Sequence, residues 1–178
     1  PKEKIYCLGD SITQGFDAGN PSLCYVAKVA ETLNLDALNQ GVGGYQYDAA
    51  ILDGFEKLPS PKFVTIAYGT NDWGFNPSMD SIQENVRNFY KKINTLFPDI
   101  PVFVITPIWR CDMDLPQQSG EFMDVVHLIE KETSKYSNVV LVDGLKISPH
   151  DKYYYADRRL HPNADGFAYM TERLIPIF

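Results

Sequence analysis

The chain has 178 residues, of which 44% are hydrophobic and 22% charged. These values predict one globular domain over residues 1–178. The formal net charge of −7 argues against a nucleic-acid partner, and no apolar run approaches the roughly 20 residues of a membrane span. No signal peptide is visible and the chain begins at Pro1, so a cytoplasmic protein and a secreted, processed protein both stay open. No feature of the sequence indicates an oligomeric state.

Short apolar runs alternate with amphipathic segments along the chain. The runs are nearly continuous rather than alternating, which is typical of buried parallel strands. The predicted strands, of which the second is the weakest, are 5–8, 36–39, 62–68, 101–106 and 139–142.

Apolar residues at helical spacing fall between these strands. The first helix has Asn20 as its predicted N-cap and Pro21 at its first position. The predicted helices are 21–33, 47–58, 82–96, 122–129 and 163–174. Repeated strand–helix units predict an α/β fold, with a parallel sheet covered by helices on both faces. Sheets of this kind bind ligands beyond the carboxyl ends of their strands.

The three cysteines are Cys7, Cys24 and Cys111. Their spacing matches no metal motif, and an odd number cannot pair completely. We therefore expect buried or half-buried free thiols and no metal site.

A serine and a glycine-rich segment follow the first two predicted strands. Ser11 comes after strand 5–8, and a serine hydroxyl becomes a nucleophile when a base takes its proton. The glycine-rich segment 41–44 follows the second strand, and the N–H of Gly44 is a candidate donor to an oxyanion. Taken alone, each segment also suits an ordinary turn.

An amide and an imidazole follow later predicted elements. Asn71, in a Gly-x-Asn-Asp segment after the third strand, is a second candidate donor to an oxyanion, and Asp72 is expected to hold that loop. His161 precedes Pro162, which restricts the histidine to extended backbone and holds its ring outside the last helix. Histidine accepts a proton near neutral pH, whereas the other two histidines are expected to be solvated.

The order of these segments resembles the SGNH (GDSL-type) hydrolase family. The resemblance includes the opening GDSITQG, the second segment NQGVGG and the His-Pro pair, and it runs from Ile5 to about Phe167. It places the four block residues of the family on Ser11, Gly44, Asn71 and His161. It implies a three-layer α/β/α sandwich with a flavodoxin-like, five-stranded parallel sheet.

One position departs from the family pattern. The family has an acid three residues before the histidine, where this chain has Arg158. Asp157 lies four residues before His161 and is our choice for the acid that orients the ring. Asp151, or a backbone carbonyl in place of any carboxylate, remains an alternative.

The resemblance implies a two-step acyl transfer that needs no metal or organic cofactor. His161 takes the proton of Ser11, which attacks an ester carbonyl, and water then hydrolyses the acyl-enzyme. The N–H groups of Ser11 and Gly44 and the side chain of Asn71 would hold the oxyanion.

The expected substrate is a small-molecule or carbohydrate ester with a short acyl chain such as acetyl, because no lid-sized apolar insertion is visible. Three aromatic residues near the predicted strand ends are candidate substrate-binding residues, although they also suit loop packing: Trp73, Trp109 and Tyr155. The alternative functions are a lysophospholipase or thioesterase of the same family and a non-catalytic carbohydrate-binding module on the same fold.

Overall fold

The central sheet of the computed structural model, which describes residues 2–178, has five parallel strands in the order β2-β1-β3-β4-β5. The strands are β1 (Lys4–Gly9), β2 (Asp36–Gly41), β3 (Phe63–Ala67), β4 (Val102–Ile105) and β5 (Val139–Val142). Each predicted strand is confirmed, and β2 extends two residues further than expected. β2 is an edge strand and only partly buried, which explains its weak apolar signal.

Helices cover both faces of the sheet. The α-helices of the described residues are α1 (Ser11–Gln14), α2 (Tyr25–Thr32), α3 (Thr70–Phe75), α4 (Met79–Leu96), α5 (Phe122–Thr133), α6 (Gly144–Ile147) and α7 (Ala164–Leu174). Side chains of β1 alternate between the two layers: Tyr6 and Leu8 pack with α4 and α5, whereas Ile5 and Cys7 pack with α2 and α7. The three-layer α/β/α sandwich is therefore confirmed.

Two predicted helices begin or fold differently from expectation. Asn20 caps a 3-10 turn, Pro21–Leu23, by accepting from the N–H of Ser22, and α2 begins only at Tyr25. The segment predicted as helix 47–58 instead forms two 3-10 turns. These turns are separated by Gly54, whose positive φ of 92° cannot continue a right-handed helix.

The cysteines are free thiols, as expected. Cys7 and Cys24 are buried, whereas Cys111 is exposed. The prediction for Cys111 was wrong because this residue lies in a surface turn after β4 rather than in an apolar element.

Candidate active site

Ser11 lies at the carboxyl end of β1, where the strand passes directly into α1. The carboxyl group of Asp10 caps this helix by accepting a hydrogen bond of 2.9 Å from the N–H of Ile12. Ser11 is the first residue of the helix, where backbone N–H groups have no acceptor within the helix. The hydroxyl and the N–H of Ser11 therefore lie at the same edge of the sheet.

Ser11, His161 and Asp157 form a continuous hydrogen-bonded chain. Ser11 Oγ lies 2.9 Å from His161 Nε2, and His161 Nδ1 lies 2.8 Å from Asp157 Oδ2. A carboxylate can only accept, so Nδ1 carries the ring hydrogen and Nε2 accepts from the Ser11 hydroxyl. The imidazole is thus held in the tautomer that can take a proton from serine.

Asp157 reaches the ring because the loop before His161 folds back on the same carboxylate. Asp157 Oδ1 accepts hydrogen bonds from the backbone N–H groups of Arg159 (2.8 Å), Leu160 (2.8 Å) and His161 (3.1 Å). Arg158 adopts a left-handed conformation with φ of 59°, which absorbs the extra residue relative to the family pattern. The backbone of Ala156 closes the loop by donating to the carbonyl of His161 at 2.8 Å.

The charge state of this carboxyl group follows from these contacts. Burial acts to raise the pKa of Asp157, but the backbone hydrogen bonds from Leu160 and Arg159 and the contact with His161 outweigh it and lower the pKa to about 2. Asp157 is therefore ionised at neutral pH, as a partner for an imidazolium must be.

Asp151 and Arg158, the other charged groups close to His161 in sequence, make their contacts with other partners. Asp151 caps a 3-10 turn by accepting from the N–H of Tyr153 at 3.0 Å. The guanidinium of Arg158 lies over the ring of Tyr153, 4.8 Å from its centroid, rather than against His161.

The glycine-rich loop after β2 is fastened to α1. Asn39 Nδ2 donates to the carbonyl of Thr13, and Asn39 Oδ1 accepts from the N–H of Gly41, both at 2.9 Å. A Cβ on Gly41 would lie 2.1 Å from the backbone nitrogen of Gln14, so only glycine permits this approach.

The end of the same loop borders Ser11. The N–H of Gly43 donates to Gln14 Oε1 at 3.0 Å, and a Cβ on Gly43 would lie 3.9 Å from Ser11 Cβ. Gly44 has a positive φ of 80°, which turns the chain at this point. The loop therefore approaches the serine with backbone alone.

Asn71 joins the glycine-rich loop to α3. Its Nδ2 donates to the carbonyl of Tyr45 at 3.1 Å, and the side chain is nearly buried. The next residue, Asp72, accepts from the N–H of Tyr47 at 3.0 Å, so it holds the loop as the sequence predicted. Burial raises the pKa of Asp72 to about 6.

Two of the three aromatic residues predicted to contact substrate cannot do so. Trp73 and Tyr155 are both 0% exposed, and their polar atoms donate to the carbonyls of Gly120 and Pro149. Those two predictions were wrong because large aromatic side chains near strand ends pack under loops as readily as they line a site. Trp109 is partly exposed and packs against Tyr155.

Other aromatic residues, which are not among these three candidates, border the site. Phe16 is 52% exposed and its ring lies 5.0 Å from that of His161 in an edge contact. Tyr45 and Phe75 are exposed beside Gly44 and Asn71. Phe75 follows the third strand closely in sequence, and Phe16 could have been noticed because it directly follows the GDSITQG segment.

The remaining histidines are exposed, as predicted. His127 lies on α5. His150 Nε2 donates to the carbonyl of Leu145 at 2.8 Å, and its ring stacks on Trp109. Within residues 2–178, no three His, Cys, Asp or Glu side chains are grouped so that they could hold a metal ion. None of the helices in that range is both long and apolar enough to cross a membrane.

Solved structures with the same fold include several enzymes. A Lactobacillus plantarum protein has 18% identity, a TM-score of 0.81 and coverage of 99% of this chain and 96% of its own. A family two carbohydrate esterase from Clostridium thermocellum, solved with cellohexaose, has 22% identity, a TM-score of 0.76 and coverage of 99% and 64%. The salicylyl-acyltransferase SsfX3 of a tetracycline biosynthetic pathway has 20% identity, a TM-score of 0.73 and coverage of 97% and 52%.

The family match identifies the chain as a carboxylic ester hydrolase, and the sheet order agrees with the fold of that family. The chain belongs to the GDSL-like lipase/acylhydrolase family, whose sequence model matches residues 7–169. No curated protein sequence matches the chain.

Proposed function

We propose that the chain is a serine esterase that hydrolyses short-chain esters, with acetyl as the acyl group and a carbohydrate as the alcohol. The observation that carries this proposal is the hydrogen-bonded chain from Ser11 Oγ through His161 to Asp157. Residues 1–178 act as one hydrolase domain in this proposal.

The reaction begins with proton transfer. His161 Nε2 takes the hydroxyl proton of Ser11 as Oγ attacks the ester carbonyl carbon. The imidazolium that forms is stabilised by the ionised Asp157 at Nδ1. His161 then gives the proton to the leaving alcohol as the ester C–O bond breaks, which leaves an acyl-enzyme on Ser11.

Water completes the cycle by the same steps in reverse. His161 takes a proton from water, whose oxygen attacks the acyl carbon, and returns a proton to Ser11 as the acid leaves. During both steps the N–H groups of Ser11 and Gly44 and the amide of Asn71 donate to the oxyanion. No metal or organic cofactor takes part in this mechanism.

A carbohydrate alcohol is supported by the surroundings of the site. Exposed aromatic rings at Phe16, Tyr45 and Phe75 border it, and aromatic residues with a few polar groups are typical of small-ligand sites. A structural neighbour is a carbohydrate esterase solved with an oligosaccharide.

Ser11→Ala tests the nucleophile. We expect at least about a 10³-fold loss of kcat on p-nitrophenyl acetate and on acetylated oligosaccharides, with an unchanged circular dichroism spectrum. Ser134→Ala, at an exposed serine after α5, is the matched control and should keep full activity. Retained turnover by Ser11→Ala, or phosphonate labelling of another residue, would remove Ser11 from the mechanism.

Asp157→Asn tests the orienting acid separately. Asparagine keeps an oxygen for the backbone N–H groups but removes the carboxylate charge, so kcat should fall by up to about 10⁴. A nearly unchanged kcat would refute the role of Asp157 while leaving the serine mechanism in place.

A further inference from the structure

A surface cavity of about 120 Å³ adjoins the proposed reaction centre. Asn71 and Gly74 of α3 line one side, and Leu160, the neighbour of His161, lines another. A group bound in this cavity therefore lies beside Asn71, a proposed oxyanion donor, and beside the residue that precedes His161 in the chain. Three charged side chains also line this cavity: Arg110, Asp112 and Arg159.

Arg110 forms the buried base of the cavity. It is 5% exposed, and its Nε and Nη2 donate to the two carboxylate oxygens of Asp112 at 2.6 and 2.9 Å. Its Nη1 donates to Thr70 Oγ1 at 3.0 Å, and the guanidinium lies 4.8 Å from the centroid of the Trp73 ring. These contacts fix the planar ion pair in one orientation.

Arg159 supplies a second cation. Its Nη1 lies 3.4 Å from Asp112 Oδ2, and its side chain is half-exposed. The hydrogen bonds from Arg110 lower the pKa of Asp112, and Arg159 lowers it further, so this carboxylate is ionised at neutral pH. Two guanidinium groups thus share one carboxylate, and the cavity wall keeps one net positive charge.

This positive charge stands out because the chain as a whole carries −7. Asp112 already accepts from Arg110 through both oxygens, so the guanidinium donors of Arg159 are the ones available to a ligand. Guanidinium groups bind carboxylates through parallel N–H donors.

We propose that this cavity is a subsite for a carboxylate group carried by the ester substrate, with Arg159 as its binding residue and the Arg110–Asp112 pair as its support. This inference rests on the proposed esterase function and names the substrate class as acidic esters. The carboxylate belongs either to the alcohol, with acetyl as the acyl group, or to a short acyl group that takes the place of acetyl, and two pairs of probes distinguish these sources.

Each pair compares a carboxylate with an uncharged amide of the same shape. Monomethyl fumarate and methyl fumaramate place the group on the acyl side, on a trans double bond that prevents internal attack. 4-Acetoxybenzoate and 4-acetoxybenzamide place it on the alcohol side. The measured quantity is the ratio of kcat/KM for the carboxylate to that for the amide, after each is divided by its uncatalysed rate.

In the unmodified protein, this ratio should be about ten or more in one pair, since hydrogen bonds to charged groups are stronger than neutral ones. In Arg159→Gln the ratio should fall towards one, mainly through KM, and added salt should reduce it in the unmodified protein. Arg173→Gln removes the same charge from α7, where Arg173 lies over Tyr169, and should leave the ratio unchanged. A ratio near one in both pairs, or one that Arg159→Gln does not alter, would overturn the inference.

A binding measurement separates this inference from the proposed function. Ser11→Ala should bind one of the two carboxylate probes at least about tenfold more tightly than its amide partner, as measured by ligand-detected NMR. Adding Arg159→Gln should abolish the difference. If the unmodified protein hydrolyses none of the four esters or p-nitrophenyl acetate, the proposed function fails and the binding result alone decides on the subsite. Equal binding of carboxylate and amide in both pairs refutes the subsite even when esterase activity is present.

Discussion

One amide hydrogen of Asn71 is used in a hydrogen bond that holds the fold, and the other is available to donate to an oxyanion. Its Nδ2 donates to the carbonyl of Tyr45, and a primary amide carries two hydrogens. Asn71→Ala should therefore lower kcat by about 10² to 10³ with a much smaller change in KM, because an oxyanion donor acts mainly in the transition state. Steady-state kinetics on p-nitrophenyl acetate measures both constants.

Asn76 is the matched control for this prediction. Its Nδ2 donates to Gln46 Oε1 at 3.1 Å, so Asn76→Ala also removes an asparagine contact with the loop after β2. A kcat loss of similar size in both variants would mean that Asn71 acts only by holding the loop. A change confined to KM in Asn71→Ala would make it a substrate-binding residue.

The two buried carboxyl groups of Asp10 and Asp72 should make stability depend on pH. Burial raises the pKa of Asp10 to about 7 and that of Asp72 to about 6, from the ordinary aspartate value of 3.8. Asp72 raises the pKa of Asp10 further, whereas Arg110 and the N–H of Ile12 oppose the shift. Between about pH 4 and 7 the folded chain thus holds protons that the unfolded chain has lost.

The sign of the effect follows from proton linkage. Stability contributed by these two groups is present below about pH 4 and is lost as pH rises through about 6 and 7. The free energy of unfolding should fall over this range, by at most about 1.4 kcal/mol per pH unit for each group. Asp10→Asn keeps an oxygen for Ile12 and should flatten this fall in urea unfolding at several pH values. Asp80→Asn, at an exposed carboxyl in α4, should leave the dependence unchanged.

The element that decides the geometry of the base is the loop from Ala156 to His161. Arg158 adopts a left-handed backbone conformation in this loop, although arginine, like other residues with a side chain, favours negative φ. Arg158→Asn and Arg158→Val both remove the guanidinium from Tyr153, but asparagine tolerates this conformation whereas β-branched valine does not. Arg158→Val should therefore unfold about 1–2 kcal/mol more easily than Arg158→Asn and show the lower kcat.

Urea unfolding and steady-state kinetics on the two variants check this expectation. Equal stability and equal kcat would mean that the left-handed residue is not what holds Asp157 against the ring. Equal loss in both, relative to the unmodified chain, would instead assign the effect to the lost contact with Tyr153.

The sequence predicted the members of this loop but not its shape. Asp157 stood out because it is the acid nearest to the family position, and Pro162 indicated an extended backbone at His161. The three N–H groups that converge on Asp157 Oδ1 could not be predicted, because they depend on a left-handed turn at an arginine. Nothing in the residue type of Arg158 indicates that conformation.

Across the whole molecule, the strands were predictable because both faces of the sheet are covered, which produces continuous apolar runs. The exposure of individual side chains could not be predicted in the same way. Trp73 and Tyr155 lie near strand ends in sequence, yet the loops above them bury both completely. The Arg110–Asp112–Arg159 cluster joins segments that are about 50 residues apart, so spacing along the chain carries no sign of it.

The surroundings of the site as a whole predict its acyl-chain preference. Asn71 lines the charged cavity with Arg110, and Gly44 lines an open cavity bordered by Gln46, Asp48 and Asn85 together with Tyr45, Tyr47 and Ile51. A long acyl chain in either cavity would lie along polar groups and bury only part of its apolar surface. Each added methylene would then gain much less than the about 0.8 kcal/mol of a fully buried one.

In a p-nitrophenyl ester series from acetyl to decanoyl, kcat/KM should therefore be highest for the short acyl groups and fall beyond a few carbons. Measurements below the critical micelle concentration keep aggregation of the long esters from imitating this fall. Phe16→Ala serves as a check on the apolar contact that an acyl chain could make beside His161, since Phe16 is the exposed ring against that imidazole. A kcat/KM that rises towards long chains would contradict the short-chain assignment and favour a lysophospholipase or thioesterase, because only an apolar surface that encloses the chain could produce that trend.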